Sequence, residues 1–277
     1  MNTIGLDALL RAALEEDVGT GDITSESCIP ADAVSRGGFR AKEDMVVCGL
    51  AVAQRVFALV DPSVVFTPLT VDGARAKKGD VLARVEGCSR SILTGERVSL
   101  NLMQRMCGIA TRTAEAVAAV AGTKARIVDT RKSTPGLRVL EKYAVRVGGG
   151  ANHRFNLADG ILIKDNHIRA AGGITQAVEA VRVNAPHTLR IEVETETLDE
   201  VREALAAGAD IIMLDNMDND TMRAAVGIIA GRAITEASGN MGDRDLRAVA
   251  ETGVDVISIG ALTHSVRAAD ISLKFNI

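Results

Sequence analysis

The residues best suited to chemistry recur along the second half of the chain: Asp129 with Arg131 and Lys132 close behind, His153 with Arg154, Lys164, Glu194, Asp215, the Ser238-Gly239-Asn240 turn, and Ser258 with Gly260. Cationic groups gathered in one place repel, so Arg131, Lys132, Arg154 and Lys164 share a pocket only if a polyanionic ligand compensates them. Planar guanidinium groups grip carboxylates through two parallel hydrogen bonds. Glu194 and Asp215 supply the opposite charge. They suit ribose hydroxyls, or a hard Mg²⁺ ion that keeps several waters and bridges phosphates. A lone charge behind a strand is ordinarily a solvated loop position; its recurrence strand after strand is what singles these residues out.

The elements that would hold them are short, continuous apolar runs: ARIVD (125–129), GILIK (160–164), LRIEVE (189–194), DIIMLD (210–215), AITEAS (233–238) and DVISIG (255–260). Such runs are expected where both faces of a parallel sheet are covered. Between them lie TQAVEAVRVN, LDEVREALAAG, DTMRAAVGIIAG and RDLRAVAETG, of helical length and mostly closed by Gly or Asn. Alternating strands and helices point to a βα-repeat barrel, with the site at the carboxyl ends of the strands. A complete barrel of this kind has eight strands, so six runs imply an irregular one. The late turns EASGNMG and SIGALTHS carry small residues and free N–H groups ahead of helices, as a terminal-phosphate site requires.

The first half has a different grammar. MNTIGLDALLRAALEEDVG reads as a short amphipathic helix without the basic start and apolar stretch of a signal peptide, and no segment approaches an uncharged membrane span. A cytoplasmic location is expected. From Gly37 to Gly87, alternating apolar positions and turns at Asp61-Pro62, Val71-Asp72-Gly73 and Lys78-Gly79-Asp80 predict a small antiparallel sheet. The stretch GARAKKGDVLARVEG resembles a lipoyl or biotinyl carrier half-motif but lacks the carrier Lys at a hairpin tip. Residues 91–120 carry apolar positions at three and four spacing, a long helix interrupted near Cys107-Gly108 that bridges two domains.

Composition narrows the partners. The 277 residues are 47% hydrophobic yet contain one Tyr and no Trp, so the core is aliphatic. The net charge of −4 and the interspersed signs leave no footprint for nucleic acid or an anionic membrane. Cys28, Cys48, Cys88 and Cys107 lie far apart with no zinc spacing, which reads as free, mostly buried thiols in a reducing compartment.

Longer motifs make the reading specific. EDVGTGDIT, LTGERVSLNLMQRMCGIATRT, DTRKSTPGLRVLEKYAVRVGGGANHRFNLADGILIKDNHI, IEVE, IIMLDNM, EASGN and SIGALTHS resemble the quinolinate phosphoribosyltransferase family in order and spacing, over nearly the whole chain. The resemblance implies an α/β fold: an N-terminal α/β sandwich of residues 1–110, joined by residues 268–277, and an irregular, incomplete parallel α/β barrel of residues 111–267. It implies phosphoribosyl transfer from phosphoribosyl pyrophosphate to quinolinate with decarboxylation, giving nicotinate mononucleotide in NAD synthesis. It also implies Mg²⁺ as cofactor, no organic cofactor, and a homodimer whose subunits share each active site.

By motif, Arg97 of GER resembles the residue that reaches across the dimer to the substrate carboxylates; spacing alone reads it as a surface helix charge. Arg131, His153 and Arg154 resemble the quinolinate-binding residues, and Lys132 and Lys164 lie between dicarboxylate and pyrophosphate. Glu194 and Asp215 correspond to the acids near ribose and Mg²⁺, reached directly or through water or substrate. Ser238, Gly239, Asn240, Gly260 and His264 fall in the 5-phosphate region. His167 reads as a residue that orients Lys164. A catalytically silent module that merely holds a phosphorylated metabolite would need neither the Mg²⁺ acids nor the pyrophosphate lysines.

Overall fold

The computed structural model of the chain describes residues 5–275. The chain opens with α1 (Leu6–Val18), α2 (Ile23–Cys28), β1 (Val34–Ala41), β2 (Met45–Val46), α3 (Leu50–Val60), β3 (Val65–Pro68), β4 (Arg75–Ala76), β5 (Val81–Cys88) and α4 (Ser89–Ala119). There follow β6 (Arg126–Val128), α5 (Arg138–Val147), β7 (Ile161–Ile163), α6 (Asp165–Ala171), α7 (Ile174–Asn184), β8 (Ile191–Thr195) and α8 (Leu198–Ala206). The last elements are β9 (Ile211–Asp215), α9 (Asn219–Ile229), β10 (Ile234–Ser238), α10 (Leu246–Ala250), β11 (Val256–Ser258), α11 (Ala261–His264) and β12 (Ile271–Phe275). They form two compact units. One is built from residues up to Ala114, from Thr134–Gly149 and from Val266 onward; the other from Glu115–Ser133 and Gly150–Ser265.

The first unit holds an antiparallel sheet in the order β12-β1-β5-β3 and a short β2–β4 pair. Three of its aromatics gather in one place. Phe39 of β1, Phe57 of α3 and Phe66 of β3 lie with ring centroids 5.5–6.0 Å apart and are almost fully buried. Burying each ring is worth about 1.5–3 kcal/mol.

Two expectations are revised here. α4 is a continuous helix across Cys107 and Gly108 rather than an interrupted one. A Cβ at position 108 would sit 2.2 Å from the Arg267 carbonyl oxygen, so Gly108 serves close passage of the strand leading to β12 and does not break the helix. The segment Thr134–Gly149, which the expected boundaries assign to the barrel, belongs to the first unit. Its cause is a buried ion pair: Glu141 of α5, 1% exposed, accepts from Arg105 of α4 at 2.8 and 2.6 Å and from the Thr134 N–H at 3.1 Å.

In the second unit β6-β11-β10-β9-β8-β7 form a parallel sheet, each strand falling on one of the six apolar runs, with β8 reaching one residue further, to Thr195. A single bridge from Val128 to Ala151 extends it beyond β6. The irregular, incomplete barrel follows. Three of its helices begin where short polar side chains satisfy free N–H groups. Thr197 and Glu200 make a reciprocal capping box on α8, Asp218 accepts from the Thr221 N–H on α9, and Asp245 caps α10.

The thiols are free: Cys48 and Cys107 are buried, whereas Cys28 is exposed and Cys88 half-buried, so burial covers fewer of them than expected. Burial pushes the Cys107 thiol up to about 12. No helix among the described residues is long and apolar enough to cross a membrane.

Candidate active site

Side chains alternate between the faces of a strand, so residues two apart share one face. Glu192 and Glu194 on β8, Met213 and Asp215 on β9, and Glu236 and Ser238 on β10 therefore line up in steps. Above them, at the carboxyl ends of the strands, opens a cavity of about 560 Å³. It is lined by Arg131, Lys132, His153, Arg154, Lys164, Glu194, Asp215, Ser238, Gly239 and Asn240, together with Thr130, Leu162, Met213, Asn216, Glu236 and Ser258. That volume is in the range of small-molecule sites.

Short polar contacts fix each group. Lys132 leaves the loop after β6, whose carbonyl accepts the Thr263 hydroxyl of α11 at 2.7 Å. Asp129, fully buried, accepts from the Asn152 amide at 2.6 Å and from the His153 N–H at 2.9 Å, which draws the 152–154 loop under the end of β6. Asp129 is thus a structural anchor. Lys164 reaches the Glu194 carboxylate at 2.7 Å, and its own N–H donates to His167 Nδ1 at 2.9 Å. His167 accordingly holds the backbone of Lys164.

The late turns are built on left-handed backbone. Asn216, Gly239 and Asn240 all have positive φ. A Cβ at Gly239 would lie 2.3 Å from Asn216 Oδ1, so only glycine lets these two turns pack. The Asn216 amide donates to Asp215 at 2.6 Å, aiming that carboxylate.

Gly260 and His264 do not line the cavity but adjoin it: a Cβ at Gly260 would meet Lys132 Cδ at 2.9 Å and the His264 ring at 3.2 Å. His264 is exposed, with Nδ1 2.6 Å from the Ser265 hydroxyl. Arg97 stands exposed on α4 in the first unit and is not among the lining residues.

The mouth is cationic and the floor acidic. Burial and the neighbouring Arg131 charge lower the pKa of Arg154, with Glu192 opposing them. Both guanidiniums line the one cavity, the arrangement expected around a polyanion. Arg131 Nε is buried without a hydrogen-bond partner, while Arg154 Nη1 donates to the Gly160 carbonyl at 2.8 Å.

Beneath them lie two acids that reading the strand ends missed. Glu192 and Glu236, each 3% exposed, approach His153 Nε2 at 3.1 and 3.6 Å. His153 Nδ1 accepts from the Arg154 N–H at 2.8 Å, so the ring hydrogen is on Nε2 and is donated to Glu192. The three groups lie within 4.8 Å of one another. The available signal was a charged residue inside an otherwise apolar parallel strand, which must have a partner to be buried. Burial, reinforced by the Glu192 charge and opposed by His153, pushes Glu236 up to about 7.

Comparison with known proteins agrees in both halves of the chain. Residues 22–107 match the profile of the quinolinate phosphoribosyl transferase N-terminal domain, and residues 109–274 that of the C-terminal domain. The chain is 48% identical over 273 residues to a probable nicotinate-nucleotide pyrophosphorylase (carboxylating) of Bacillus subtilis, covering 99% of this chain and 94% of the relative. It is 45% identical over 293 residues to the mitochondrial quinolinate phosphoribosyltransferase (decarboxylating) 2 of Nicotiana glauca, covering 99% and 83%. The solved nicotinate-nucleotide pyrophosphorylase of Francisella tularensis superposes with a TM-score of 0.94 at 40% identity, covering 100% of this chain and 98% of the other.

Glu236 makes stability depend on pH. Between about pH 4.5 and 7 the folded chain keeps a proton on Glu236 that the unfolded chain has released, so this group's contribution falls as pH rises through that window and a penalty persists above it. Glu236→Gln removes the penalty. Urea unfolding is expected to show the variant gaining on the wild type from pH 5 to pH 8, by up to roughly 3 kcal/mol. An equal difference at both pH values would contradict the assignment.

Proposed function

Because the chain belongs to the quinolinate phosphoribosyltransferase family, we infer that it joins pyridine-2,3-dicarboxylate to phosphoribosyl pyrophosphate and releases CO₂, forming nicotinate mononucleotide. The observation that carries this reading is the Arg131–Arg154 pair beside Lys132 and Lys164, at one cavity with Glu194 and Asp215. Two vicinal carboxylates and a pyrophosphate are together the kind of ligand that offsets such crowding.

In this reading the carboxylates lie against Arg131 and Arg154. Lys132 and Lys164 face the pyrophosphate, and the Ser238-Gly239-Asn240 turn, with Gly260 and His264 beside Lys132, receives the 5-phosphate. Glu194 and Asp215 hold the ribose hydroxyls. The ring nitrogen attacks ribose C1 as the C1–O bond breaks, and its electron pair leaves with pyrophosphate. Positive charge grows on the sugar and negative charge on the departing oxygens, so the acids stabilise the first and the lysines the second.

The new bond makes the pyridine nitrogen positive. The bond from C2 to its carboxylate then breaks, CO₂ departs, the electron pair remains on C2 beside that nitrogen, and a solvent proton completes the product. The chain's remaining task is to grip the 3-carboxylate. No protein nucleophile takes part.

Glu194 and Asp215 offer only oxygen donors, the chemistry of a hard cation, and stand at adjacent strand ends beside an open cavity. They fit Mg²⁺ and are the residues that would hold it. The ion would neutralise charge developing on the pyrophosphate.

The direct test is an assay of CO₂ and nicotinate mononucleotide from quinolinate and phosphoribosyl pyrophosphate, with and without Mg²⁺. Both products are expected together and only with the ion; absence of both under saturating substrates would refute the reading.

The family resemblance further supports a homodimer in which Arg97 of a partner subunit reaches the bound carboxylates. Chains carrying Arg97→Ala and Arg154→Ala are each expected to be nearly inactive. An equimolar random mixture should recover about a quarter of wild-type activity, since half the dimers are mixed and each of those holds one intact site. No recovery in verified heterodimers would reject the shared site.

A further inference from the structure

Both ring nitrogens of His153 are already engaged inside the protein. Nδ1 accepts from the Arg154 N–H at 2.8 Å, and Nε2 lies 3.1 Å from a Glu192 oxygen. A histidine held at both ends is placed to transmit position. What it holds at one end is the backbone of Arg154, whose guanidinium is steered at its other end by the Gly160 carbonyl at 2.8 Å. What holds the histidine is Glu192 of β8, 3% exposed; Glu236 of β10, equally buried, lies 3.6 Å from the same nitrogen.

The glutamates are not fully satisfied by this arrangement. Glu192 Oε1 and Glu236 Oε1 are buried without a hydrogen-bond partner. Leaving carboxyl oxygens in that state costs free energy that ordinary packing would avoid with apolar residues. Their presence under a cationic mouth is explained if they serve the groups above. Glu192 acts on Arg154 electrostatically, against the repulsion from Arg131.

We infer that Glu192 is a positioning residue for the dicarboxylate: through His153 it holds Arg154 beside Arg131 before substrate arrives, while the polyanion-facing lysines are held independently. The inference rests on the functional reading above. It gives His153, which also lines the cavity, the support of Arg154. The independence of the lysines follows from their own anchors, Glu194 for Lys164 and the Thr263 hydroxyl for the Lys132 loop.

The test is calorimetric binding of pyridine-2,3-dicarboxylate and, separately, of phosphoribosyl pyrophosphate with Mg²⁺ to the full chain. Glu192→Ala is expected to weaken the dicarboxylate roughly 10- to 100-fold, the worth of one charge-assisted hydrogen bond. Phosphoribosyl pyrophosphate binding should change less than about twofold, on the scale of an uncoupled site. Glu192→Gln, which keeps an acceptor for Nε2–H, should recover most of the loss and also serves if the alanine variant fails to fold.

The decisive arm is the pair Glu192→Ala and His153→Ala. If Glu192 acts through His153, the double variant binds the dicarboxylate about as weakly as the worse single variant. Multiplicative losses, or an equal loss of both ligands, would overturn the inference as a general structural effect. Wild-type chain that binds the dicarboxylate while Glu192→Ala and Glu192→Gln bind it equally well would overturn the inference and leave the functional reading standing. Failure of the wild type to bind it at all would overturn both.

Discussion

Holding the half-buried Arg154 charge at one cavity with Arg131 is the constraint that the rest of the site answers. Burial and the Arg131 charge both work against the Arg154 charge. Two guanidiniums are kept together in an empty cavity only by opposing charge and by a rigid scaffold. Both are present. Glu192, Glu194, Asp215 and Glu236 rise from three neighbouring strands on one face, and the parallel ladder between β8, β9 and β10 fixes their spacing. The acidic floor makes the cationic mouth tolerable, and the mouth in turn makes a dianionic ligand welcome.

The division of labour follows from backbone geometry. Strand ends hold the groups that must not move, Glu194 and Asp215. The loops after β6 and before β7 carry the cations that line the cavity, and each loop is tied down by a buried polar residue: Asp129 under the 152–154 loop, Thr263 under Lys132. The positive-φ residues Asn216, Gly239 and Asn240 then shape the turns at the opposite rim, where the Asn216 N–H donates to the Ser238 carbonyl at 3.1 Å.

Much of this was legible in the residues alone. Continuous apolar runs marked the six strands because a strand covered on both faces has no polar side to show. Reading the polar residue at each run's end then found Arg131, Lys132, Lys164, Glu194, Asp215 and Ser238, all of which line one cavity. Glu192 and Glu236 escaped because they lie inside the runs, where only side-chain alternation relative to Glu194 and Ser238 betrays them. The continuity of α4 was hidden because a glycine that admits a crossing chain looks the same as one that ends a helix. The attachment of residues 134–149 to the first unit was hidden too, since it depends on Arg105 and Glu141, thirty-odd positions apart, meeting in a buried pair. The role given to Arg97 rests on the family resemblance, because an exposed arginine on a helix has no local signature of a distant partner.

The central claim is that the cations are assembled for two carboxylates on one ring. The most direct measurement compares calorimetric affinities of the wild-type chain for pyridine-2,3-dicarboxylate and for pyridine-3-carboxylate under identical buffer and salt. The second carboxylate should gain charge-assisted hydrogen bonds worth about 1.5–3 kcal/mol, so the dicarboxylate is expected to bind roughly 10- to 100-fold tighter. Equal affinities for the two acids would contradict it.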